Sequence, residues 1–195
     1  FRSDLYIEGV QNNGIINHYE YIINSEGTIE IRHVLKPEGK MPLWFPRIGL
    51  TLTVSDALDQ VKWYGRGPQE NYPDRKTGYP MGIYASTVQA MYEPYLMPQD
   101  YGLRTDVRWL QLTTDKGIGL QFKMNEWFNF NIYPYSTDNL TKAMYTYQLQ
   151  KQKGMTLNLD YATTGVGCTA RGVFGAYKAM PQEYRRTISI RPMMK

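Results

Sequence analysis

Apolar and polar residues alternate in short runs along nearly the whole chain, a period of two that suits β-strands with one face buried. Ile29 and Ile31 in TIEIRHVL, Ile48 to Val54 in RIGLTLTV, Val61 and Trp63 in QVKWYG, and Leu110 and Leu112 in RWLQLT all carry it. The rhythm continues through Ile118, Leu120, Phe122 and Met124, then Phe128, Phe130 and Ile132, then Leu157, Leu159 and Tyr161, and reaches Ile188 and Ile190. Ser25-Glu26-Gly27, Pro37-Glu38-Gly39, Asp115-Lys116-Gly117 and Lys153-Gly154 stand between runs and supply reversals of an antiparallel chain. One short helix is expected around Thr137 to Tyr145, capped by Thr137 or Asp138, with Leu140 and Met144 on one face. This pattern predicts an all-β fold, a large antiparallel β-sandwich with residues 1–195 as a single unit.

Composition removes several classes. Hydrophobic residues make up 42% and charged residues 21%, so the signature of an unfolded chain is missing. No apolar run approaches the roughly 20 residues of a membrane helix, and FRSDLYIEGVQNN lacks the zones of a signal peptide. No membrane partner is expected. The chain starts without Met inside a β pattern, which predicts a fragment of a longer protein. The lone Cys168 excludes an intrachain disulfide, and two histidines, His18 and His33, argue against a histidine-rich metal centre. Net charge is +4, but the basic residues are scattered, Arg185-Arg186 and Arg75-Lys76 being the densest pairs. Without a basic stripe, no nucleic-acid partner is expected. The compartment stays open, bacterial cytoplasm and periplasm alike.

One region breaks the rhythm. Residues 65–105 carry Pro68, Pro73, Pro80, Pro94 and Pro98 and read as one long excursion that cannot form central strands. Long ordered loops in compact domains are usually functional. Its first part, Gly65 to Arg75, is the densest polar cluster: carboxylates at Glu70 and Asp74, guanidinium groups at Arg66 and Arg75, amides at Gln69 and Asn71. Sugar hydroxyls, each donor and acceptor, call for this mixture. The plainer reading is a shaped turn in which Arg75 pairs with a nearby carboxylate. Gly67, lacking Cβ, is a candidate hinge.

FPRIGL at 45–50, VKWYGRGPQENYPDR at 61–75, MYEPYLMPQDYGLRTDVRWL at 91–110 and NIYPYS at 131–136, in that order, resemble the C-terminal module of family 2 β-galactosidases. Weaker similarity runs through LNLDYATTGVG at 157–167 and EYRRTISI at 183–190, so about 150 residues are covered, in the sense of ordered motifs rather than one fingerprint. The resemblance implies a galactose-mutarotase-like β-sandwich, the last domain of a long hydrolase, with its opening portion missing. It implies retaining hydrolysis of terminal β-galactosides by two glutamates on an upstream TIM barrel, so this chain would hold no catalytic residue. It would wall the barrel's mouth, with Gly67 as hinge of a mobile loop, Glu70 facing the site, and Arg66, Asn71, Asp74 and Arg171 as further substrate contacts. Partners would be the other domains, the TIM barrel above all, and the galactoside substrate. The intact enzyme would be a candidate homo-oligomer using Mg and Na, with no cofactor or metal assigned to this chain.

The pattern departs at one place. Lactose-cleaving members have a Trp after the Gly-rich stretch as a platform for the leaving glucose, and none lies between 160 and 180 here. The aligned position is near Gly172, with Arg171, Tyr161 or Phe174 as replacements, and a galactoside other than lactose becomes a reasonable substrate. Trp44, Trp63, Trp109 and Trp127 are expected in the core, and Cys168 as a small buried residue. Two other functions compete. One is an autonomous carbohydrate-binding module; the other is an aldose epimerase, which needs an acid–base pair and would turn to His33.

Overall fold

A computed structural model describes residues 1–9, 13–167 and 172–194, and among them the alternating runs form ten antiparallel strands. These are β1 (Arg2–Glu8), β2 (Gly14–Ile23), β3 (Ile29–Glu38), β4 (Arg47–Val54), β5 (Gln60–Arg66), β6 (Met81–Thr87), β7 (Arg104–Thr113), β8 (Gly119–Tyr133), β9 (Met155–Thr163) and β10 (Tyr184–Met193), with one helix, α1 (Thr137–Lys142). The path β1-β2-β3-β10-β8-β7-β5-β6 is continuous, and β9 joins β8 to β4.

The sheet forks at β8. Gly119–Met124 pair with β10, whereas Asn129–Tyr133 pair with β9, and β7 runs along the other edge of both halves. Two arms, β10-β3-β2-β1 and β9-β4, therefore leave the same side of one strand. They share one hydrophobic core: Ile31, Leu35 and Ile188 come from the first, Ile48, Leu157 and Leu159 from the second, with Trp63, Leu110, Phe122 and Phe130 between. His33 and Tyr161 bond from arm to arm. This enclosure makes the sandwich. Each large apolar side chain so buried contributes roughly 1.5–3 kcal/mol.

Some expectations change. The runs 118–124 and 128–132 are one strand, because Asn125 at the bend accepts a hydrogen bond from the Thr187 amide (2.9 Å) and the chain continues without a turn. The 65–105 excursion contains a strand after all, β6, at the edge of the sheet where the unpaired side tolerates its Pro-rich flanks. The excursion thus divides into loops 67–80 and 88–103. Helix α1 is capped by Ser136, whose Oγ accepts from the Asn139 amide (3.0 Å), and it ends before Met144, which is exposed. Of the tryptophans, Trp63 is fully buried, but Trp44 is only partly covered and Trp127 is 59% exposed beneath the Arg108 guanidinium (3.3 Å). Among the described residues, no helix is long and apolar enough to cross a membrane.

Candidate functional site

Loop 67–80 leaves the buried end of β5 and returns at β6, so its shape depends on what holds Arg66. A bulge in the β7–β8 pairing supplies the anchor. Between Arg104 and Val107, β7 carries an extra residue, and Asp106 takes φ of 56°, a conformation that Asp tolerates better than most residues. Its carboxylate accepts from Arg66 Nε (2.6 Å) and Lys76 Nζ (2.8 and 2.9 Å), while Arg66 Nη1 also donates to the Tyr79 carbonyl (2.9 Å). Burial pushes Asp106 up, but the two cations outweigh it and hold it below the usual carboxylate range. The stem of the loop is clamped by these bonds.

Glu70 sits inside the loop. Its carboxylate accepts from the Gly102 amide (2.9 Å), Arg75 Nη2 (2.8 Å), the Tyr72 hydroxyl (3.1 Å) and the Tyr95 hydroxyl. Burial raises Glu70, yet these donors, Tyr95 first, hold it below its ordinary value, while burial and the charge of Glu70 raise Glu93. Asn71 is wholly buried and accepts from the Thr105 amide (3.1 Å) and hydroxyl (2.5 Å). Tyr72 and Arg75 exchange two backbone bonds that close a tight turn around Pro73 and Asp74, and Asp74 accepts from the amides of Val166 (3.1 Å) and Gly167 (2.7 Å). Arg104 donates to the carbonyls of Pro68 and Gly102, and burial lowers its guanidinium to about 10. Gly67 packs against two rings: a Cβ there would lie 3.0 Å from Trp63 and 2.9 Å from Tyr84.

Beside the loop opens a cleft of about 870 Å³, walled by Tyr72 and Arg75, by Tyr95, Gln99 and Asp100, by Arg47, by α1 and by residues 163–167. Beneath the lining residues Arg47, Asp100 and Tyr133 lies a buried polar network. Arg47 at the start of β4 donates to both oxygens of Asp160 (3.2 and 2.5 Å), to Asp100 (3.3 Å) and to Asn131 Oδ1 (3.2 Å), and Asn158 bridges Asn131 and the Tyr133 hydroxyl. Burial pushes Asp160 up to about 6 against the pull of Arg47, and the charges of Asp160 and Asp100 outweigh burial to raise Arg47.

The candidate residues Arg66, Glu70, Asn71 and Asp74 sit in or at the root of one loop, but each is engaged by other side chains or by backbone, Arg66 by Asp106, Glu70 by Arg75 and the tyrosines, Asn71 by Thr105 and Asp74 by the Val166 and Gly167 amides, and the cleft is lined instead by their neighbours Tyr72 and Arg75. Arg171 and Cys168 lie outside the described residues. Tyr161, a candidate platform, is buried with its hydroxyl on His33, whereas Phe174 is 68% exposed. His33 stacks on Tyr19 and bonds Tyr161 (2.7 Å) and Asn17 (3.0 Å) through its two nitrogens, so neither is offered to the cleft. His18 pairs with Asp4 on the outer strands. Sequence reasoning missed Arg47, Asp100, Asn131 and Asp160. The signal was present in Asp160, the one charged residue of the strand that contains LNLDYA. Among the described residues, no three His, Cys, Asp or Glu side chains cluster so as to hold a metal ion.

The model of the family described as beta galactosidase small chain matches residues 6–190. The chain is 36% identical over 162 residues to a beta-galactosidase of Priestia megaterium, covering 83% of this chain and 16% of that protein. It is 39% identical over 122 residues to one of Vibrio cholerae (63% and 11%) and 33% identical over 159 residues to one of Pseudoalteromonas haloplanktis (80% and 14%). The chain therefore spans about a sixth or less of the length of these relatives. The stretches that carry Arg47, Glu70, Asp100 and Asn131, far apart in sequence, meet around one cleft in a fold whose match runs almost end to end, and the chain belongs to the beta-galactosidase small-chain family.

Proposed function

We propose that this chain is a component of a β-galactosidase, a glycoside hydrolase, in which it forms a substrate-facing rim while the bond-breaking carboxylates come from another part of the enzyme. The observation that carries the reading is the cleft's chemistry. A retaining hydrolysis needs two carboxyl groups about 5–5.5 Å apart with different protonation. Asp100 is the only carboxylate among the described residues lining the cleft, and it is engaged by Arg47 and Asn131. Arg75, Tyr95 and Gln99 instead present donors, acceptors and an aromatic face, the equipment for holding hydroxyls.

In this reading Glu70, Asn71 and Arg66 set the loop's shape, Asp74 ties its tip, and Gly67 lies at its root. Loop 67–80 helps exclude water when the pocket is completed by the other domains. Any Mg or Na used by the intact enzyme is assigned to residues outside this chain. The test is an assay of the purified chain with a chromogenic β-galactoside: no turnover is expected, and hydrolysis at enzymatic speed overturns the proposal.

The polar, aromatic cleft also supports a second reading, an autonomous carbohydrate-binding module. Titration of galactose or a galacto-oligosaccharide into the chain separates the two, since saturable binding favours the module. An aldose epimerase is disfavoured by both histidines lying away from the cleft.

A further inference from the structure

We propose that Asp74 is a positioning residue, a latch that fixes the width of the cleft by tying the tip of loop 67–80 to the opposite wall at residues 165–167. The inference rests on the reading of the cleft as a substrate rim. Tyr72 and Arg75 close the turn that carries Asp74, and both line one wall of the cleft; Val166 and Gly167 line another. Asp74 Oδ1 accepts from the Val166 amide (3.1 Å) and Oδ2 from the Gly167 amide (2.7 Å), across 92 and 93 residues of chain. Two successive N–H groups converging on one anion form a nest, whose partial positive charges suit a carboxylate.

The opposing segment is shaped to receive it. Gly167 has φ of 64°, in the left-handed region that glycine enters at no Cβ cost, and its amide meets Asp74. Gly165 makes room, since a Cβ there would lie 2.3 Å from Asp74 Cγ and 2.5 Å from each carboxylate oxygen. The Gly165 amide is committed elsewhere, to the Tyr177 carbonyl (2.8 Å), so the turn itself is anchored. The stem of the loop is held at Asp106 and its middle at Glu70; Asp74 makes the connection that spans the cleft. Releasing it should let the two walls part while leaving the core untouched.

The experiment measures amide hydrogen exchange at Val166 and Gly167 in the protein and in the Asp74→Asn, Asp74→Ala and Gly165→Ala variants, with galactoside kinetics in the β-galactosidase that carries the module. Loss of at least tenfold protection at both amides in Asp74→Ala, with Leu110 and Leu159 still protected, is expected. Asp74→Asn, which keeps one acceptor oxygen, should lose less, and Gly165→Ala should reproduce the alanine effect from the other side with Asp74 intact. In the enzyme, KM for the galactoside should rise about tenfold in Asp74→Ala with kcat changed less, and Asp74→Asn should recover part of it. Unchanged protection, or lost protection without any kinetic change, overturns the latch. Gln99→Trp, which fills the cleft, separates the premise: if that variant also leaves kinetics untouched, the rim reading itself has failed.

Discussion

Arg47 and Asp160 form a two-pronged ion pair between the ends of β4 and β9, with Asp160 buried and Arg47 reaching on to Asp100 at the cleft. Pairs of this kind owe little net stability to their attraction, because desolvation of both charges offsets it, but removing one partner is severe. Arg47→Ala should therefore lower unfolding free energy by about 3–5 kcal/mol. The deficit should grow as pH rises through the orphaned carboxyl's raised value, since ionising it in the fold then becomes unfavourable. Urea denaturation across pH 5–8 checks both.

Acid stability should decline in two stages. Burial lowers His33 from 6.5 to about 4, so its neutral form contributes stability that is complete above pH 6.5 and lost as pH falls toward 4. That loss amounts to about 3 kcal/mol from the size of the shift. Glu70, held below 4.5 by its donors, contributes stability present above 4.5 that is lost as pH falls through its folded value. Thermal melts should show His33→Gln flattening the first stage and leaving the second, and Glu70→Gln the reverse.

Gly67→Ala should cost about 1–3 kcal/mol, because the new methyl presses on Trp63 and Tyr84. In the intact enzyme it should also alter substrate handling through the loop. A Tyr84→Ala background, which opens space, should reduce the stability cost; equal costs in both backgrounds would remove the packing explanation.

Trp63→Ala should lower stability by about 3–5 kcal/mol. The ring fills the core, donates from Nε1 to the Arg66 carbonyl (3.0 Å) and lies beneath Arg104. Its loss should raise proteolysis within loop 67–80 as well as lower the urea midpoint.

The strands were legible because each buries one face, and period two is a property of neighbours in sequence. The reversals at Gly27 and Gly117 were legible for the same local reason: both have φ near 78°. What escaped was decided between distant residues. Nothing near Phe122 or Phe128 announces that one strand passes beneath both, since the change of partner from β10 to β9 is a tertiary event. Trp127 reads as core by type, yet the bend turns it out beneath Arg108. The polar loop was found from composition, but its inward economy was not: Glu70 depends on Gly102 and Tyr95, and Arg66 on Asp106. Arg47 and Asp160 stood in plain view as separate charges, 113 residues apart, and only the fold makes them a pair.

The pairing of β3 with β10 sets Ile29–Leu35 against Tyr184–Ile190. A ribosome must therefore deliver nearly all of these residues before that seam can zip, and until then Ile31 has no partner from Ile188. Such widely separated pairings are slow to form and leave sticky strand edges open in the meantime. Synthesis halted before residue 184 should yield insoluble chains rather than a smaller working module.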